Sequence, residues 1–178
     1  MECTRCGGSD HNEANCDLFP EVRLEHPDAE PGAAGPHMAG VLDVEYKDGV
    51  VTLSGLCYKK GQASGAGCNC LIDTIRQKLD ITADPRAVRS RLQLLFPRGP
   101  DKVTKSNFLD FRAHWAAIVR ILGEVARPRP EPRDPADMQF VCADLEYVGH
   151  GDIVGAGLLV FHIARVHTNH FVPLLELR

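Results

Sequence analysis

No apolar run in this 178-residue chain approaches the roughly 20 residues that a membrane-crossing helix requires, so a helical membrane protein is excluded. Positive charge is not in excess either. Against 24 Asp and Glu stand 20 Lys and Arg, a formal net charge of −4, which leaves no electrostatic footprint for nucleic acid or an anionic membrane. The opening Met1-Glu2-Cys3-Thr4-Arg5-Cys6 lacks the apolar stretch of a secretory signal, and no internal repeat is visible. What remains is a globular composition, 44% hydrophobic and 25% charged, of a length suited to one ordinary domain plus a small appendage. Seven cysteines would suggest disulfides in a secreted chain, but their spacing points to other uses. An intracellular, reducing setting is expected, cytoplasmic or nuclear, or a host cell into which the protein is delivered.

Three of those cysteines fall in Cys3-x2-Cys6-x4-His11-x4-Cys16, with Gly7 after the second, the spacing of a CCHC zinc knuckle. Two cysteines two residues apart make a tight turn with both sulfurs toward one ion, and a short loop brings His11 and Cys16 round to complete a tetrahedron. Residues 1–20 are too few to bury a core, so structural zinc would supply their folding energy. Knuckles that bind nucleic acid combine basic residues with aromatics that stack on bases. Here Arg5 stands alone against Glu2, Asp10 and Glu13, and no aromatic lies between Met1 and Cys16. Nucleic acid is therefore disfavoured as a partner, and a protein contact is the better expectation.

Residues 21–38, rich in Pro, Gly, Ala and acidic side chains, read as a linker to a main domain over residues 39–178. Lys47-Asp48-Gly49 separates two alternating apolar segments and predicts a hairpin. A helix is expected from Cys70 through Leu71, Ile72, Ile75 and Leu79, and a second over residues 85–96, capped by Asp84 with Pro85 in its first turn. A third is expected to start at Ser106 and to run through Phe108, Phe111, Trp115, Ile118, Val119 and Leu122. Residues 126–137 read as a proline-rich loop able to border a cleft, and Gly149-His150-Gly151-Asp152 as another loop. Strand-like segments follow at residues 139–145, 158–163 and 171–175. The sum is an α+β domain with helices on a mainly antiparallel sheet.

The most informative stretch is Ser64-Gly65-Ala66-Gly67-Cys68-Asn69-Cys70, where a small-residue loop becomes a helix. A cysteine in a first helical turn faces unpaired backbone N–H groups and the positive end of the helix dipole, a setting that lowers a thiol pKa. Cys70 is thus the expected nucleophile, with Gly67, Cys68 and the amide of Cys70 itself as candidate oxyanion donors. His170, at the mouth of the last strand, is the expected general base. The group orienting it stays open. Asn169 would face the other side of a regular strand, His167 and Asn169 could form a base–orienter pair of their own, and Asp43 or Asp144 could reach in from another strand.

Gly67-Cys68-Asn69-Cys70-Leu71-Ile72 resembles the Asp-Gly-Asn-Cys-Leu-Phe signature of the OTU (ovarian-tumour) deubiquitinases, which are papain-like cysteine proteases. Asn169-His170-Phe171-Val172-Pro173-Leu174 resembles their closing His-Tyr strand. Length and element order from about residue 40 onward fit that domain. Gly67 and Cys68 stand where the family usually has Asp and Gly, and Val172 stands where its orienting Asp or Asn usually lies. The resemblance implies isopeptide hydrolysis on ubiquitin or polyubiquitin, with no metal in the chemistry: the thiolate attacks the C-terminal glycine carbonyl, and water resolves the acyl-enzyme. Two other readings use the same residues. Cys70 is a buried structural thiol in a non-catalytic zinc-knuckle and OTU-like module that recruits ubiquitin or another protein, or Cys57, Cys68 and Cys70 bind a second zinc with a histidine. His114 and His162 read as packing residues.

Overall fold

The structure is a computed structural model and describes residues 37–128, 131, 134–147, 149–167 and 169–177. The expected knuckle ligands Cys3, Cys6, His11 and Cys16 lie outside the described residues. A first strand, β1 (His37–Val41), starts inside the expected linker, bends at Leu42-Asp43 and continues as β2 (Val44–Lys47). Asp48 and Gly49 both have positive φ, 53° and 80°, the backbone of a tight turn whose twist matches its strands, and β3 (Val50–Leu53) returns along β2 as predicted. Ser54-Gly55 repeats the device at 51° and 80° and adds β4 (Leu56–Lys60), which the sequence reading missed.

Three helices follow: α1 (Cys70–Lys78), α2 (Pro85–Leu95) and α3 (Phe111–Val125). Asp84 caps α2 as expected, its carboxylate accepting from the Arg86 N–H at 2.9 Å. The cap of α3 is Asp110, accepting from Ala113 N–H at 2.8 Å, and not Ser106. Upstream, Asn107 and Thr104 satisfy each other's backbone, with the Asn107 carboxamide oxygen 2.9 Å from the Thr104 N–H and the Thr104 hydroxyl 3.1 Å from the Asn107 N–H. That local loop competes with helix and leaves Phe108 outside it, exposed.

The remaining strands are β5 (Met138–Asp144), β6 (His150–Gly155), β7 (Leu159–Val166) and β8 (His170–Glu176). Strand β6 corrects the expected loop at Gly149-His150-Gly151-Asp152. A Cβ on Gly151 would be driven into the Cys142 carbonyl and the Leu42 side chain, so glycine there permits the close pairing of β6 with β5. The eight strands form one sheet in the order β1-β6-β5-β7-β8-β4-β3-β2. Only β5 and β7 pair in parallel, and the other pairs are antiparallel. The expectation of an α+β domain on a mainly antiparallel sheet holds, the sheet being mixed through the β5–β7 pair.

The two borders of this sheet, β1 and β2, are consecutive in the chain, and the pairings make them run in the same direction. Two intervening residues span at most about 11 Å, so the borders meet at one corner and the sheet is curled. Its faces are buried differently, as alternation along β5 shows. Met138, Phe140 and Cys142 pack with the helices around Ile72, Ile75, Trp115 and Ile118. Val141 and Ala143 face a second cluster with Val44, Val51, Leu53, Tyr58, Ala164, Val172 and Leu174, drawn almost wholly from strands inside the curl.

Candidate active site

The loop of residues 61–69 is held at three points. Gly61 N–H donates to the Pro173 carbonyl at 2.8 Å, where a side chain would strike the proline ring. The Ser64 N–H donates to the Asp73 carboxylate at 2.8 Å, which also accepts from Arg76 Nε at 3.0 Å and from Gln77 Nε2 at 2.9 Å. Burial alone would raise the Asp73 pKa, but these donors outweigh it and hold the carboxyl below its ordinary value. Finally, Cys68 N–H donates to the Gly65 carbonyl at 3.0 Å, closing a 3-10 turn over Ala66–Cys68. Gly67 and Cys68 take left-handed φ of 63° and 57°. Glycine does so without strain, while a cysteine there costs about 1 kcal/mol.

Cys70 is the first residue of α1, as the sequence implies, and only 4% exposed. Its thiol donates to the Asn169 carbonyl at 3.4 Å. Burial pushes the Cys70 pKa up, against N–H groups of Phe171 and Leu71 that point at the sulfur and pull it down, with Cys68 adding to the rise. The net direction is upward. This reverses the expectation from the helix terminus alone, because desolvation exceeds the stabilisation from the amides.

Cys70 opens on a cleft of about 310 Å³ lined by Gly65, Cys68, Phe108, His167, Asn169 and His170. The expected nucleophile and base therefore share one cavity. They are not hydrogen-bonded to each other among the described residues; the His170 ring instead leans toward Gly65, where an added Cβ would lie 4.0 Å from Cε1. Asn169 contributes its carbonyl to the thiol, not a side-chain contact to either histidine. His167, at φ 54°, pairs through Nδ1 with the Glu146 carboxylate at 2.8 Å, so its side-chain partner is Glu146 and not Asn169. Asp144 is committed elsewhere, paired with Arg165 at 2.8 Å and capping the Glu146 N–H at 3.0 Å, and Asp43 is exposed at the β1–β2 corner. Of the expected oxyanion donors, Cys68 spends its N–H on Gly65 and Gly67 does not line the cleft.

Arg89 of α2 was not expected and is central. It is 4% exposed, and its guanidinium donates from Nε to Asn69 Oδ1 at 2.6 Å and from one terminal nitrogen to the Cys68 carbonyl at 2.6 Å. The other terminal nitrogen donates to the carbonyls of Thr104 at 2.8 Å and Asn107 at 3.1 Å. Burial lowers its pKa, and the nearby sulfurs of Cys68 and Cys70 offset part of that. A sequence signal existed: Arg89 lies between Val88 and Leu92 on the apolar stripe of α2, where a charge must find partners.

His162 and His114 have polar partners besides packing. His162 Nδ1 lies 3.0 Å from the Tyr58 hydroxyl, and both His114 nitrogens face carbonyls, of Asp110 at 3.0 Å and Asp101 at 2.8 Å. A second cleft of about 320 Å³, lined by Asp110, Phe111, Arg112, His150, Gly151, Asp152 and Arg165, carries no thiol or hydroxyl nucleophile. Its guanidiniums are paired with carboxylates, Arg112 with Asp152 and Arg165 with Asp144 and Asp152. Among the described residues no group of three or more His, Cys, Asp or Glu could hold a metal ion, which leaves Cys57, Cys68 and Cys70 as free thiols. No described helix is long and apolar enough to cross a membrane. Comparison with family models, curated proteins and solved structures gave no match.

Proposed function

We propose that the protein is a thiol isopeptidase of the OTU type, with a papain-like arrangement, that cleaves ubiquitin or polyubiquitin. The observation carrying this reading is Cys70 at the start of α1, opening on the same cleft as His170. The Cys70 thiol gives its proton to His170, and the sulfur attacks the carbonyl carbon of the ubiquitin C-terminal glycine. Backbone N–H groups at the helix start receive the negative charge on the carbonyl oxygen. The imidazolium then protonates the departing lysine amine, leaving a thioester. Water, deprotonated by the same imidazole, attacks the thioester and restores the thiol. The knuckle ligands Cys3, Cys6, His11 and Cys16 would hold zinc in a structural role, and chelation followed by metal analysis tests them: a metal-free chain as purified refutes the knuckle.

A raised Cys70 pKa and a thiol bonded to a carbonyl favour a second reading, a non-catalytic module that recruits ubiquitin or another partner. The two separate on one reaction. Ubiquitin bearing a C-terminal alkyne should form a thioether with the wild-type chain and none with Cys70→Ala. Absence of adduct leaves the recruiting module. Diubiquitin cleavage should fall by at least about 10² in His170→Ala, the range of a lost general base. If His167→Ala alone abolishes cleavage, the base is the His167–Glu146 pair instead.

A further inference from the structure

A trans peptide is planar, with its C=O and N–H pointing in opposite directions. Arg89 holds the Cys68 carbonyl from inside the fold and takes the Asn69 side chain with the same guanidinium. The peptide joining Cys68 to Asn69 therefore directs its N–H away from Arg89. Cys68, which opens that peptide, and Cys70, which follows Asn69, both line the cleft. The inward turn of the Asn69 side chain also explains why this residue does not cap α1, whose first amides are left without a side-chain acceptor from it.

We infer that Arg89 is the positioning residue of this site, fixing the Cys68–Asn69 peptide so that the amides of Asn69 and Cys70 receive the oxyanion of an acyl substrate. The inference rests on the proposed acyl chemistry at Cys70 but not on ubiquitin as the substrate. A lysine cannot replace Arg89 in this role. The guanidinium reaches Cys68, Asn69, Thr104 and Asn107 at once through nitrogens fixed in one plane, whereas an ammonium is a single point.

The test compares two reactions of the Cys70 sulfur in the full chain. Acylation by p-nitrophenyl acetate passes through a tetrahedral oxyanion and releases p-nitrophenolate, whereas alkylation by iodoacetamide displaces iodide and forms no oxyanion. Both rates are taken above the background of Cys70→Ala. Arg89→Lys should slow acylation by roughly 10- to 100-fold, approaching the loss of one oxyanion donor, with alkylation within about threefold of wild type. A purely structural role would slow both reactions together, and that result overturns the inference, as does unchanged acylation or a wild-type rate no higher than background. If Arg89→Lys does not fold, Asn69→Ala reads the same ratio, since it removes one partner of the guanidinium and keeps the backbone amide; the expected loss is again selective for acylation. A preserved ratio effect in a protein that leaves ubiquitin conjugates intact overturns the substrate and leaves Arg89 in place.

Discussion

At the scale of single residues, two ionisable groups of α1, the Cys70 thiol in the cleft and the Asp73 carboxyl behind its loop, are shifted in opposite directions. Cys70 is held above its ordinary pKa by burial, so in the protein without substrate its thiolate appears late as pH rises. The iodoacetamide rate at Cys70 should climb with a midpoint above the 8.5 or so of a free thiol; a midpoint below that value would mean that the amides of Phe171 and Leu71 prevail over burial. Asp73 is held low by Ser64, Arg76 and Gln77. A carboxyl whose folded pKa is depressed contributes stability above its unfolded value, about 3.9, and loses it as pH falls through the folded one. Asp73→Asn should therefore cost about 2 kcal/mol at pH 7 and progressively less below about pH 4, read from urea midpoints at each pH. An equal cost at pH 7 and pH 3 would remove the charge from this account. The placing of Cys70 at a helix start and of His170 at the start of the last described strand was legible, because a glycine-rich loop before a helix, and a histidine before a strand, are local patterns. The height of the Cys70 pKa was not, because desolvation depends on Phe171 and its neighbours closing over the sulfur from far along the chain.

At the scale of elements, legibility followed the same line. The β2–β3 hairpin and the start of α2 were readable, since Asp48-Gly49 and Asp84-Pro85 act within a few residues. The start of α3 was misplaced because Thr104 and Asn107 close a turn on themselves. Strand β6 was hidden because glycine, a poor strand former, is needed where β6 approaches β5. Gly151→Ala should accordingly destabilise the protein by about 3 kcal/mol, the upper range for overpacking, measured by urea unfolding. Gly49→Ala places its Cβ in open space and should cost only the strain of a left-handed alanine, about 1 kcal/mol. Since Gly151 has no positive φ, a cost there no larger than at Gly49 would show that β6 and β5 part far enough to take a methyl group and that packing does not require glycine.

For the whole molecule, the curled sheet places one cluster inside and another under the helices, and β5, β7 and β8 contribute to both. The two should melt together. Trp115, the single tryptophan, sits in the helical cluster, whereas Leu174 sits fully buried inside the curl. Leu174→Ala should lower stability by about 3 kcal/mol, and the urea transition seen by Trp115 fluorescence should shift as far as that seen by far-UV circular dichroism. A tryptophan transition that stays in place would mean two independently stable halves. Neither the curl nor the order of the strands was legible in the sequence, because both depend on which distant strands pair.

Strand β8 lies between β7 and β4 in the middle of the sheet, yet it is the last of the described strands in sequence order. Until residues 170–176 are synthesised, β4 has no strand that pairs it with β7, and the β2–β4 hairpins are joined to the other strands only through the β1–β2 connection. Folding must therefore wait for translation to pass this point, and the closing step brings together segments from opposite ends of the described chain. Such non-local closure belongs to the slow range of domain folding, milliseconds to seconds. The same step brings His170 to the cleft on which Cys70 opens, so the site is not assembled before β8 is in place.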